Sequence, residues 1–178
     1  MMKSMMITLV ALAGASTIYA QSNPLTTELK QSYAEIKGDV TKAAADMPES
    51  GYSFMPGKGS RTYGQAVVHI AQVQGALCGM ASGSAAPKID DGKTSKADAV
   101  AALKAVFDFC DPIYAAMTDA DAAKMVKVFG RDRTKFGALN FGVIHTNEMY
   151  GTLAVYLRAK DMVPPSSAGR GNTGKKKE

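Results

Sequence analysis

The chain has 178 residues, a formal net charge of +5, 46% hydrophobic residues, two cysteines and two histidines. Most of the charge lies at its ends. Removing Lys3 leaves +4, and removing the end "RGNTGKKKE", four basic residues and one acid, takes away +3 and leaves the body near +1. A near-neutral body excludes the basic stripe of a nucleic-acid-binding protein, and residues 168–178 are expected to form a disordered, solubilising basic tail.

The first twenty residues read as a secretory signal, with Lys3 in the basic region, "MMITLVALAGAST" as the apolar run and small residues closing at Ala20. That run is too short for a stable membrane span and is expected to leave with the signal. Cleavage before Gln21 gives one domain of about 158 residues, large enough for a single core. The protein is therefore expected outside the cytoplasm, in the periplasm or the medium, where Cys78 and Cys110 can oxidise.

From Pro24 the pattern is helical. Leu25, Leu29, Tyr33, Ile36, Val40 and Met47 share one face, Asn23 and Pro24 give a cap and a first-turn proline, and Pro48 ends the helix. The stretch "PESGYSFMPGKGSR", residues 48–61, reads as a loop. Thr62 with Gln65 offers a capping box for the second helix, whose stripe is Ala66, Ile70, Val73 and Leu77 with His69 at its edge. It frays at "SGSAAP".

Ser95 and Asp98 start a third helix with the stripe Val100, Leu103, Phe107, Cys110, Tyr114 and Met117; Pro112 inside it predicts a kink or an early end. Residues 118–137 allow a short helix at "TDADAAKM" and a turn or irregular crossover at "VKVFGRDRTKF". The fourth helix is expected from Ala138 to Lys160, with Val143, Tyr150, Leu153 and Leu157 facing the core and "VPPSS" as its stop. Four long amphipathic helices and no convincing strand pair make the fold class all-α, a four-helix bundle.

The connections bear on topology. About thirteen residues join the second and third helices and about twenty the third and fourth, against two to eight for tight antiparallel neighbours. Thirteen extended residues reach roughly 40 Å, beyond the ~28 Å of a nineteen-residue helix, so helices two and three can run parallel. In that arrangement Cys78 and Cys110 sit at one height and can bridge; in a tight antiparallel pair they would lie on the order of 15 Å apart, beyond the ~7 Å limit. A disulfide and two small buried thiols both stay open.

The candidate chemistry lies on two helices. His145, Glu148 and Met149 are spaced i, i+3 and i+4 and share a face. A His-x-x-Glu pair facing His69 from another helix is one way to build a metal site inside a bundle, suited to zinc, nickel or iron. Against this stand ordinary readings: a packed histidine at each position and Glu148 as an exposed helix residue. Tyr63, Tyr150 and Arg158 are further candidates for a pocket wall. No Gly-x-Ser-x-Gly or phosphate-cradling loop occurs.

The segments "MPESGYSFMPGKGSRTYG", "RTYGQAVVHIAQVQGALCGMASG", "FDFCDPIYAAM" and "HTNEMYGTLAVYLRAKDMVPPSS" resemble, in this order, an exported branch of the DinB-like (damage-inducible) four-helix family, from about Pro24 to Ser167. The resemblance implies an up-down-down-up bundle with parallel middle helices. It also implies a divalent-metal site from one histidine on helix two and an H-x-x-x-H pair on helix four. Carried over, the ligands are His69 and His145, but the third position holds Met149. A thioether binds divalent zinc, nickel or iron poorly and accepts Cu(I), so three outcomes follow: a lost site, a divalent site completed by Glu148, or a copper site with Met149. The resemblance further implies a metal-dependent hydrolase or a transferase using small thiols, acting on an unknown small molecule. The alternative is a non-catalytic exported bundle that binds a small apolar ligand or an envelope partner. A homodimer is compatible with both.

Overall fold

The computed structural model describes residues 23–168. The expected signal, its cut before Gln21 and the basic tail from residue 169 lie outside the described residues. In chain order the elements are α1 (Pro24–Asp46), α2 (Tyr63–Ser82), α3 (Lys96–Ala116), the short α4 (Asp119–Ala122), strands β1 (Met125–Val128) and β2 (Arg131–Thr134), and α5 (Lys135–Arg158), with 3-10 turns at Glu49–Gly51 and Pro165–Ser167.

Local chemistry sets most of these boundaries. The capping box forms: Thr62 Oγ1 accepts from Gln65 N–H at 3.2 Å and Gln65 Oε1 accepts from Thr62 N–H at 2.8 Å. Ser95 Oγ accepts from Asp98 N–H at 3.2 Å, and Gly83 ends α2 at φ +74°, a backbone that favours glycine. The first helix starts as expected, with Asn23 at its cap and Pro24 in its first turn, but Asn23 makes no side-chain capping bond. That bond comes from the carboxylate of Asp119, 93 residues from Thr26 in sequence, which accepts from Thr26 N–H at 2.9 Å and Thr26 Oγ1–H at 2.8 Å, while Asn23 Oδ1 accepts from Asp119 N–H at 2.8 Å. Leu25, assigned to the apolar stripe, stands 58% exposed in this first turn.

Three further expectations are corrected. Helix α3 runs through Pro112 to Ala116 instead of ending early; Asp108 and Pro112 are both exposed, so the carbonyl that proline leaves without a donor faces water. Helix α5 begins at Lys135, ahead of Ala138, because Thr134 Oγ1 accepts from Gly137 N–H at 3.0 Å. The segment read as a turn or irregular crossover, with no convincing strand pair, is a two-stranded antiparallel hairpin in which Val128 pairs with Arg131. Phe129 and Gly130 both have positive φ, 48° and 80°, the two-residue turn whose twist suits a hairpin. Four-residue strands are too short to print a period-two pattern, and phenylalanine is an unusual occupant of that turn.

The helix directions follow from contacts between ends. Tyr63 at the start of α2 donates to Ala43 O near the end of α1 at 2.7 Å, and Tyr114 near the end of α3 donates to Leu139 O near the start of α5 at 2.8 Å. Cys78 and Cys110 are bridged, with Cα atoms 5.7 Å apart, and a Cβ on Gly64 would strike Thr94 O at the entry to α3. Helices α2 and α3 therefore run parallel, and the bundle is up-down-down-up. Around the core the order is α1, α3, α2, α5, so α1 lies diagonally from α2 and α3 from α5, while α2 and α3 are parallel neighbours whose connection must run back the length of a helix. Among the described residues no helix is long and apolar enough to cross a membrane.

Candidate functional site

Helices α2 and α5 are antiparallel neighbours, fixed at one end by the tilted ring pair Tyr63–Tyr156, 6.1 Å between centroids, and deeper in the bundle by Thr146 Oγ1 donating to Gln74 Oε1 at 3.0 Å. Between these ties the two histidines meet. The rings of His69 and His145 are edge to face, 5.1 Å between centroids at 69°. Both are half-buried. His145 Nδ1 is buried and has no hydrogen-bond partner, a costly state for a polar atom unless something else satisfies it.

Electrostatics hold both rings neutral near pH 7. Burial pushes the His69 imidazole below its ordinary value, and the positive charges of Arg61 and His145 push it further. Burial also lowers His145; the Glu148 carboxylate opposes this and Arg61 adds to it. Neutral imidazole keeps a lone pair for a metal or a hydrogen-bond donor.

Two clefts open near the pair, and the smaller reaches His69. The larger, about 620 Å³, is lined by Arg61, Gln65, Glu148, Met149, Thr152 and Tyr156 among others. The smaller, about 270 Å³, is lined by Arg61, Gln65, His69 and Asp91. Arg61 and Gln65 form the ridge between them.

The structure thus brings together two predicted ligands and leaves the others nearby. Glu148 is exposed on the larger cleft and Met149 lies buried beside it. Among the described residues no third histidine, cysteine, aspartate or glutamate joins the two imidazoles in a metal-holding group. The other pocket candidates serve the fold: Tyr63 is fully buried on Ala43 O, the Tyr150 phenol donates to Ser166 Oγ at 2.9 Å, and Arg158 is exposed and donates to Ser167 Oγ at 3.1 Å. Cys78 and Cys110 form their bridge on the α2–α3 side.

Arg61, Gln65 and Tyr156 were missed in the sequence, though a signal existed. Arg61, Gln65 and His69 are spaced by four, as are Glu148, Thr152 and Tyr156. Gln65 and His69 on α2, preceded by Arg61 in the loop before it, lie toward the same end of the bundle as Glu148, Thr152 and Tyr156 on α5, and such polar spacing on facing helices marks the walls of a cleft.

The residues fit a metal in part. Two neutral imidazoles and an orphaned ring nitrogen suit a borderline ion; the thioether of Met149 suits a soft one; the one oxygen ligand within reach by sequence spacing is Glu148.

A family model described as the DinB superfamily matches residues 33–153. Among solved structures, a DinB-like protein from Bacillus cereus aligns with a TM-score of 0.69 at 19% identity, covering 78% of this chain and 95% of that one. A DinB-like protein from Bacillus subtilis aligns with a TM-score of 0.63 at 18% identity, covering 76% and 93%. At these identities the structural likeness is one of fold. No curated protein matches the chain.

Proposed function

Because the chain belongs to the DinB superfamily, we propose that it is an exported, divalent-metal-dependent enzyme of the hydrolase or thiol-transferase kind, with His69 and His145 as ligands. The observation that carries this reading is the buried, unpartnered Nδ1 of His145 beside a second neutral imidazole. Glu148 supplies the third ligand by turning in from the cleft wall, a change of rotamer that costs an exposed side chain about 1–2 kcal/mol at most. Zinc, nickel or iron held there would act as a Lewis acid toward a bound thiol or water. The chain's own part is to keep both imidazoles unprotonated and to fix the cleft: Tyr156 donates to Arg61 O at 2.8 Å and ties the loop before α2 to α5. Export is supported by the Cys78–Cys110 bridge, which persists in oxidising compartments.

One observation favours a second reading. Met149 stands where the family pattern has its third histidine, and no third ligand group is assembled with the pair. A bundle that has lost its metal would bind a small apolar ligand or an envelope partner without catalysis. Elemental analysis of protein prepared from the periplasm, wild type beside His145→Ala, separates the two. About one divalent ion per chain, lost in the variant, is the expected result. Copper alone would point to Met149, and no metal after loading would refute the enzyme reading.

A further inference from the structure

The β1–β2 hairpin presents side chains that the bundle core does not use. Among the described aromatic residues Phe129 alone is exposed, at 60%, and Met125 on the same hairpin is 62% exposed. Phe129 also holds φ at +48°, in a two-residue turn where asparagine, aspartate and glycine fit and a bulky side chain is an outlier. Its ring is not buried, so packing does not offset that conformation. Behind the tip the hairpin is well held. Val128 is buried and β1 packs on α2 and α5. Lys135 N–H donates to Lys124 O at 2.7 Å across the base, and the Arg133 guanidinium lies 5.2 Å from the centre of the Phe141 ring on α5.

Charge is uneven at the same place. From Asp121 to Lys135 the chain carries five basic and two acidic side chains, a net +3, whereas the body as a whole is near +1. The rest of the body is therefore net negative, and the cations gather around the exposed aromatic ring. Lys127 pairs with Asp132 at 2.8 Å and Lys124 with Asp121, exposed pairs that leave the surplus in place.

We propose that this hairpin docks the protein on an anionic phospholipid surface, with Phe129 entering the boundary between headgroups and acyl chains and the cations beside it, Lys127 and Arg131, facing the phosphates. Aromatic rings favour that boundary, and basic side chains are drawn to the negative surface beneath them. A convex two-residue tip suits a bilayer, which yields around it. A stable protein partner would need roughly 800 Å² of matched surface on this side, and a nucleic acid would need a groove of cations along its backbone. One ring and a net +3 give a reversible, salt-sensitive contact rather than an anchor. The contact does not depend on the metal reading.

The chain contains no tryptophan, so Phe129→Trp makes position 129 its own reporter. The test uses the chain from Gln21 through the basic tail at low ionic strength. Vesicles of equimolar phosphatidylcholine and phosphatidylglycerol are expected to shift the indole emission to the blue, and lipid brominated in the upper acyl chain should quench it. Phosphatidylcholine vesicles should do neither. In sedimentation with the mixed vesicles, Arg131→Glu should bind at least about tenfold more weakly than wild type and Phe129→Asn at least about fivefold more weakly. Asparagine suits the positive φ, so Phe129→Asn should unfold thermally no lower than wild type, which separates lost docking from lost fold. Sedimentation without blue shift or quenching would place the binding in the basic tail and overturn the proposal. So would wild-type binding by Phe129→Asn, an equal response to phosphatidylcholine, no response to the mixed vesicles, or an indole response to single-stranded oligonucleotide alone.

Discussion

Helix α2 carries two polar centres that face α5, and they are built in opposite ways. At Gln74 the amide is buried and fully used: Nε2 donates to Tyr114 Oη at 3.2 Å and to the Cys78 sulfur at 3.5 Å, and Oε1 accepts from Thr146 at 3.0 Å. Beside it the disulfide ties α2 to α3 and leaves no room to spare, since a Cβ on Gly142 would meet Gln74 Oε1 at 2.9 Å. More than a turn earlier on α2 the centre is open: His69 meets His145, whose ring Nδ1 has no partner, and a cleft reaches His69. A satisfied buried network contributes rigidity, whereas a buried polar atom without a partner costs stability. The two lie on the same helix, so the closed centre holds the open one in place.

Substitutions at the two centres should therefore move stability and binding in opposite directions. The largest effect is expected from the disulfide. Replacing Cys78 and Cys110 together by alanine releases a bridge spanning 32 residues and should cost about 3–4 kcal/mol in urea unfolding, with metal binding retained wherever the protein stays folded. Next, Gln74→Leu strands the buried Thr146 hydroxyl and should cost about 1–3 kcal/mol. At the open centre the sign reverses. His145→Leu removes a buried nitrogen that has no partner and should be neutral or stabilising by up to about 1 kcal/mol, while abolishing metal retention. A loss of several kcal/mol there would mean that His145 is ordinary core, and the contrast would fail.

The smallest effect is a pH dependence. Both imidazoles titrate below the ordinary histidine value when folded, so as pH falls below about 6.5 the unfolded chain takes up protons first. Their contribution to stability is complete above that pH and is lost as pH falls from there through the lowered folded values. Replacing both histidines by leucine should flatten this part of the profile in thermal unfolding between about pH 7 and pH 5.

Much of the bundle was legible because its signals are local. Thr62 with Gln65 and Ser95 with Asp98 announce two helix starts, and the stripes from Leu29 to Met47 and from Leu103 to Met117 are buried as their spacing requires. What stayed hidden depended on distant chain. Asp119 caps a helix 93 residues before it, which no short window contains. The hairpin rests on Gly130 and on a phenylalanine, an uncommon occupant of its turn. At the candidate site, the spacing of His145, Glu148 and Met149 placed three side chains on one face of α5, but only packing shows that His69 meets His145 while Glu148 stays on the cleft wall. Arg61 was hidden in a glycine-rich stretch best explained by turn geometry, and its place beside the histidines comes from the bond between its carbonyl and Tyr156 on α5.

The most direct measurement of the central claim puts a histidine at position 149, where the proposed metal site has a thioether. Met149 is one helical turn from His145 and lines the larger cleft. Zinc titration of metal-free wild type and Met149→His by calorimetry should give one site per chain in both, at least about tenfold tighter in the variant, a gain of about 1.4 kcal/mol or more. Equal affinity in the two proteins, or no zinc binding by the variant, would show that His69 and His145 are not a metal corner and that the open centre has another purpose.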